Sequence, residues 1–193
     1  MKIAHEHIMK FRTKEFVVIF IFAIVAFMIN YLFSLVFDSS YLFIVGVFVL
    51  VLLLDLLVYL YKKSFVAMIF LTSYGVMSFN FLDFGVIGFD KVIGLFLVSI
   101  IFELIFLVWK LNVYGIYVDV VLASSVMMLF FPLLNALLVS FDVVYSFPVK
   151  LINLMLVSFG SSLLASGVSY IIWRSVMGEK FMLKFRAYLR RLG

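Results

Sequence analysis

The sequence predicts an all-α protein: a polytopic membrane bundle of six transmembrane helices with both termini in the cytoplasm. Hydrophobic residues make up 67% of the 193 residues and charged residues only 13%, whereas soluble domains are about half apolar and about a quarter charged. The apolar residues fall in runs that match the roughly 20 helical residues needed to cross a hydrocarbon core. Lysine and arginine cluster at the ends of these runs, where positive charge orients helices in a bilayer.

The first three spans follow from apolar runs that are separated by very short links. They cover residues 16–37, 41–61 and 64–82, and the links are "DSS" and "KK". Such short links predict antiparallel hairpins of neighbouring helices. The third run is the most polar of the six, because it is interrupted by Thr72, Ser73, Ser78 and Asn80.

The last three spans are predicted at residues 92–109, 116–139 and 151–173. Pro132 lies inside the fifth span and is expected to kink it, since proline lacks a backbone donor. The longer links "DFGVIGFDK" and "SFDVVYSFPVK" are predicted to be surface loops outside the cell, although their composition also suits loops that re-enter the bundle. Residues 174–193 form a basic amphipathic tail, which is predicted to lie along the anionic inner leaflet.

The distribution of positive charge predicts the orientation of the chain. With the N-terminus in the cytoplasm, thirteen of the fifteen lysines and arginines fall on the cytoplasmic side, and only Lys91 and Lys150 fall outside. Cytoplasmic loops carry an excess of these residues. The chain is therefore predicted to be a multi-pass protein of the cell membrane, solvated by the lipid bilayer, with an even number of spans.

Two acidic residues interrupt the apolar runs: Asp55 in "LLLDLLVYLYKK" and Glu103 in "FELIFLVWK". A charged side chain at the centre of a bilayer costs about 2.5–3.5 kcal/mol on insertion scales, so both acids are predicted to face the bundle interior. One interpretation is a polar site or proton-linked relay between the second and fourth helices. The other is a pair of acids that tie helices together through hydrogen bonds.

Three further polar residues inside the spans are candidates for an interior site. Asp119 lies early in the fifth span, Asn135 lies one turn after Pro132, and Asn30 lies within the first span. Asparagine side chains in membrane helices commonly form hydrogen bonds to other helices. No metal site is predicted, since "HEH" ahead of the first span is too short to predict one.

The last span carries rows of small residues in "VSFGSSLLASGVSY". Such rows let two helix backbones approach closely. The pattern predicts helix packing, either within the bundle or against the helix of a partner subunit, and a hydroxyl-lined substrate pocket is the alternative. The residues of these rows are Ser158, Ser162 and Ser166, which recur every four positions, and the glycines Gly160 and Gly167.

The composition also excludes several classes of protein. The chain contains no cysteine, which excludes disulfides, thiolate metal sites and cysteine nucleophiles. No histidine occurs in a predicted span, so a haem b carrier and a buried zinc protease are excluded. The net charge of +5 is concentrated at segment ends, and nucleic acid is not a predicted partner. Neither an enzymatic activity nor a cofactor is predicted.

Six short-linked helices in this arrangement resemble the substrate-binding S components of energy-coupling factor vitamin transporters. The stretch "GVIGFDKVIGLFLVSIIFELIF" is similar to their glycine-containing fourth helix with its acidic residue, and "SSLLASGVSYIIWRSVMG" resembles their final helix. The stretch "VGVFVLVLLLDLL" is similar to a helix of the rod-shape membrane protein of the wall-elongation machinery. The link "DSS" is shorter than the outer loop with which S components close their site.

The S-component resemblance implies a membrane transport component that binds a small organic solute, such as a vitamin, from outside. It also implies association with a transmembrane coupling subunit and paired ATPases. The alternative is a non-catalytic membrane subunit or scaffold of a larger membrane complex. A transport component needs convergent polar groups inside the bundle, whereas a scaffold needs a broad exposed face of apolar or small residues.

Overall fold

The computed structural model describes residues 11–37, 39–84, 86–109, 112–113, 116–139 and 148–177. Nearly all of these residues are helical. Between α4 and α5, two short strands, β1 (Asn112–Val113) and β2 (Ile116–Tyr117), pair antiparallel. The helices are α1 (Thr13–Ser34), α2 (Ser39–Tyr61), α3 (Val66–Met77), α4 (Gly88–Val108), α5 (Val118–Val139) and α6 (Pro148–Met177).

Five of these helices, all except α3, are long and apolar enough to cross a membrane. The structure therefore agrees with a multi-pass helical membrane protein. Helix α3 has 12 residues, which corresponds to about 18 Å of helix and is shorter than the hydrocarbon core of about 30 Å. The helix is shorter than the predicted third span of residues 64–82, since its C-cap is Ser78.

The other helix boundaries differ from the predictions by a few residues. Helix α6 is longer than the predicted span at both ends, so the first four residues of the predicted tail continue the last helix. The rest of the tail, residues 178–193, lies outside the described residues. The same holds for "HEH" and for most of the link "SFDVVYSFPVK".

The six helices form a closed ring. The order around the ring is α2, α1, α3, α4, α5, α6 and back to α2. Helix α2 also touches α3 and α5 across the ring, and it is the most buried of the five long helices. Residues of α2 are therefore the ones that face most of the other helices.

Contacts near the two ends of α3 show its direction relative to α1. Close to its start, Lys63 forms a salt bridge with Glu15 of α1 at 2.6 Å. Near its other end, Tyr74 accepts a hydrogen bond from Asn30 of α1 at 2.8 Å. Helix α3 therefore runs parallel to α1, from the level of Glu15 to the level of Asn30, which are about 22 Å apart along α1.

Candidate functional site

Asp55 lies at the centre of the bundle, where α2 faces α5 and α6. Its side chain is 0% exposed, in agreement with the predicted inward orientation. Oδ2 accepts a hydrogen bond from the hydroxyl of Ser169 at 3.4 Å. Oδ1 has no hydrogen-bond partner among the described residues. A carboxylate with so few donors in an apolar interior is energetically unfavourable unless a further group compensates it.

Three serine hydroxyls border this carboxylate. Ser124 comes from α5, and Ser166 and Ser169 come from adjacent turns of α6. The Oγ atoms of Ser124 and Ser166 are 2.8 Å apart, and all three serines are fully buried. We call Asp55, Ser124, Ser166 and Ser169 the Asp55–serine cluster. It brings one acid and three hydroxyls from three helices together in the interior of the bundle.

Aromatic and polar groups continue from this cluster towards the end of α2. Tyr59 lies one turn after Asp55, and its ring stacks on Trp173 of α6 at a centroid distance of 5.9 Å. It also contacts the ring of Tyr117 at 5.7 Å. The ammonium of Lys62 bonds to the Tyr117 hydroxyl and lies 4.2 Å from the centroid of that ring. A row of packed aromatic side chains thus lies between the cluster and a lysine after α2. We call Tyr59, Tyr117 and Trp173 the aromatic row.

Glu103 lies in a different environment. Its Oε1 accepts a hydrogen bond from the backbone N–H of Ala67 at 3.2 Å, in the first turn of α3. Helix N-termini carry unpaired amides and a partial positive charge, and no side chain of the N-cap residue Phe65 satisfies these amides. Glu103 therefore caps α3, which is the hydrogen-bonded tie that was one of the two sequence interpretations. Asp55 and Glu103 contact different helices and do not form the predicted joint site.

A buried ion pair that the sequence did not predict lies near the other end of α3. Lys91 and Asp83 form a salt bridge in which both side chains are 0% exposed. The Lys91 ammonium also donates to the carbonyls of Ser78 and Phe81, each at 2.8 Å. Lys91 is therefore a buried residue in the first turn of α4, whereas the sequence pattern predicted it to lie in an outer loop.

Tyr74 and Asn30 extend this ion pair to α1. The Tyr74 hydroxyl donates to Asp83 and accepts from the Asn30 amide at 2.8 Å. Burial raises the pKa of the Asp83 carboxyl, while the Lys91 ammonium and the Tyr74 hydroxyl oppose that rise. Because Asp83, Phe84 and Val86 are buried, the described part of "DFGVIGFDK" returns into the bundle instead of forming a plain surface loop. The sequence signal was a pair of opposite charges on either side of a glycine-containing link.

Asn135 and Asp119 are also buried, but they contact different parts of the bundle. A side chain at position 94 would collide with the Asn135 amide oxygen, so Gly94 allows α4 and α5 to approach closely there. Asp119 lies in the first turn of α5, where a negative charge is favourable. It is close enough to interact electrostatically with Tyr59, so it lies beside the aromatic row and not inside the cluster.

The predicted rows of small residues on α6 divide between two faces. Ser158, Ser162 and Ser166 are fully buried. Of these, Ser158 bonds to the Leu154 carbonyl of its own helix at 2.7 Å, and only Ser166 joins the cluster. Gly160 and Gly167 have no atom within 4 Å of an added Cβ. The serines therefore pack inward, and the glycines leave bare backbone on the outer face.

The described residues contain no group of three or more histidine, cysteine, aspartate or glutamate side chains that would hold a metal ion. No family model, no curated protein and no solved structure matches the chain. Its function therefore has to be inferred from the cluster and from the faces of the helices.

Proposed function

We propose that this chain is a membrane transport component that binds a small organic solute between α2, α5 and α6. The observation that carries the proposal is the Asp55–serine cluster, in which a fully buried carboxylate oxygen has no hydrogen-bond partner among the described residues. Ionisable residues inside a membrane are rare and mark solute or ion pathways. Small-molecule sites combine apolar walls with a few convergent polar groups, and this cluster has that composition.

The proposal includes six crossings of the cell membrane with both termini in the cytoplasm. Helix α3 is short, but it follows α1 from the level of Glu15 to that of Asn30, and the links at its ends add depth. The excess of lysine and arginine on one side supports the orientation.

The resemblance to S components supports the same role. It adds a transmembrane coupling subunit and paired ATPases as the partners that we propose. In such an assembly this chain supplies solute binding, and the energy for transport comes from the partners.

The test is to identify what the protein carries when it is extracted from its native membrane. Wild-type protein in native nanodiscs is analysed by mass spectrometry for bound small molecules and subunits. We expect Asp55→Asn to lower the amount of bound solute about tenfold or more, since hydrogen bonds to charged groups contribute about 1.5–3 kcal/mol. The matched control is Glu103→Gln, which keeps an acceptor for α3 and should retain the solute.

Two results would contradict the proposal. One is that no organic molecule accompanies or stabilises the wild-type protein. The other is that Asp55→Asn and Glu103→Gln carry the same amount of solute as the wild-type protein.

A non-catalytic subunit of a larger membrane complex is the second candidate, because the outer face of α6 resembles half of a helix–helix seam. The residues of this face recur at spacings of three and four, as in coiled-coil packing. The face also contains an exposed asparagine, which is favourable in a span when another helix covers it. Copurified membrane proteins without a nucleotide-binding subunit would favour this candidate over the transport component. The face consists of Asn153, Val157, Gly160, Leu164, Gly167 and Ile171.

A further inference from the structure

The serine hydroxyls around Asp55 have competing acceptors. Ser124 donates to the Val120 carbonyl at 2.9 Å, and either hydroxyl can donate in the 2.8 Å contact between Ser124 and Ser166. Ser169 donates to the Ser166 carbonyl at 2.9 Å and makes a longer contact of 3.4 Å to Oδ2 of Asp55. Backbone carbonyls therefore compete with the carboxylate for the protons of Ser124 and Ser169.

A buried carboxylate with so few donors is compensated either by a proton or by a bound cation. Oδ1 of Asp55 has no hydrogen-bond partner in the described part of the chain, and Oδ2 has only the long contact of 3.4 Å to Ser169. Burial of an uncompensated carboxylate is strongly unfavourable. Lys63 forms a salt bridge with Glu15, and Lys91 forms one with Asp83, so these two lysines neutralise other acids.

The chemistry of the cluster fits a hard monovalent cation. Carboxylate and hydroxyl oxygens are ligands of hard cations. One carboxylate balances one positive charge, whereas a divalent ion would leave a net charge buried in the membrane. Oxygens lie about 2.4 Å from a bound ion of calcium's size, which is close to the size of sodium, and two such oxygens at a right angle are about 3.4 Å apart. Oδ2 of Asp55 and Oγ of Ser169 have this separation, 3.4 Å.

We propose that the Asp55–serine cluster binds one sodium ion, with Asp55 as the charged ligand and the serine hydroxyls as neutral ligands. The complete burial of the cluster fits an atom-sized ligand. The inference deepens the proposed function, and the role of the ion in transport rests on that function. In that role the ion neutralises Asp55 within the solute site, so that solute binding depends on sodium. The binding of sodium itself does not depend on the identity of the solute.

The experiment measures the thermal unfolding midpoint of the full-length protein in detergent. Solutions of sodium chloride and of N-methyl-D-glucamine chloride are compared at equal ionic strength and pH. We expect saturating sodium to raise the midpoint of the wild-type protein by about 5 °C or more, with a saturable dependence on its concentration. Asp55→Asn is expected to unfold at the same midpoint in both salts.

A second variant keeps the inference testable if Asp55→Asn does not fold. Ser124→Ala retains the carboxylate and removes one oxygen ligand, so it should need a severalfold higher sodium concentration for half of the shift. Glu103→Gln lies outside the cluster and should respond as the wild-type protein does. Equal midpoints of the wild-type protein in the two salts, an unchanged response of Asp55→Asn, or a midpoint that follows pH but not sodium would overturn the inference.

The outcomes separate this inference from the proposed function. A sodium response that needs Asp55, in a protein that carries no solute, supports the sodium site and contradicts the proposed function. A bound solute that depends on Asp55, without a sodium response, supports the function and contradicts the sodium site.

Discussion

At the scale of single residues, three buried acids are compensated in three different ways. Asp83 has a lysine, Lys91, as its counterion. Glu103 uses a backbone amide at a helix N-terminus. Asp55 has only a long contact to a hydroxyl. Asp83 thus has a counterion and Glu103 caps a helix, whereas Asp55 is the one of these three acids that is bordered by hydroxyls from two other helices.

Lys91→Met is predicted to destabilise the protein by about 3–5 kcal/mol, because the change leaves the Asp83 carboxylate buried without its counterion. The measurement is the free energy of unfolding, obtained by titration of the protein in mixed micelles with a denaturing detergent. Arg174, an exposed residue of α6, provides the control, and Arg174→Met should change this free energy by less than about 1 kcal/mol.

A double variant separates the charge from the packing. Lys91→Met combined with Asp83→Leu should recover most of the lost stability, since an apolar pair of similar volume often replaces a buried ion pair at little cost. If the double variant is less stable than Lys91→Met alone, the ion pair is not the cause of the loss.

At the scale of helices, glycines decide where backbones come together. Gly94 of α4 lies so close to the Asn135 side chain of α5 that a Cβ there has no room. Gly160 and Gly167 of α6 have open space around the same position. The same residue type therefore has two roles. Gly94 allows a close contact inside the bundle, whereas Gly160 and Gly167 leave the backbone of α6 uncovered.

Gly94→Ala requires the end of the Asn135 side chain to move, and we predict that it destabilises the bundle by about 1 kcal/mol, the lower end of the usual cost of overpacking. Gly160→Ala is the matched control, and it should be neutral or slightly stabilising because alanine favours helix over glycine. The free energies of unfolding of both variants are compared with that of the wild-type protein. Asn135→Ala in the Gly94→Ala background should restore part of the loss, and a full loss in that double variant would argue against this contact.

At the scale of the whole molecule, the ring of helices has a polar centre and two apolar flanks. Helix α2 contacts four of the other five helices, so an acid on α2 has access to side chains from several directions. Helices α1 and α6 are the least buried of the five long helices, and both lie next to α2 in the ring. These two flanks are the surfaces that lipid or a partner subunit covers.

Single cysteines test the six crossings, because the natural chain contains none. Lys2→Cys and Arg190→Cys are expected to resist a membrane-impermeant maleimide in intact cells and to react after permeabilisation, since positive charge holds both ends in the cytoplasm. Ser146→Cys, in the predicted outer loop, should react in intact cells. Labelling of only one terminus in intact cells would show an odd number of crossings, as expected if α3 does not cross.

Much of the fold was predictable from local properties of the chain. Five long helices appear where apolar runs of sufficient length occur, because the transfer of each segment into lipid depends mainly on its own residues. The length of α3 was missed, since the chain after it returns into the bundle through the buried residues Asp83, Phe84 and Val86.

The sequence by itself determined that the protein resides in the membrane and that Asp55 faces protein, because both follow from the cost of exposing groups to hydrocarbon. Only the tertiary structure decided the partners of each acid. The contact of Asp55 with Ser169 joins residues 114 positions apart, and such contacts depend on the rotation and order of whole helices. For the same reason, the separation of Glu103 from Asp55 and the burial of Lys91 were visible only once the ring of helices was assembled.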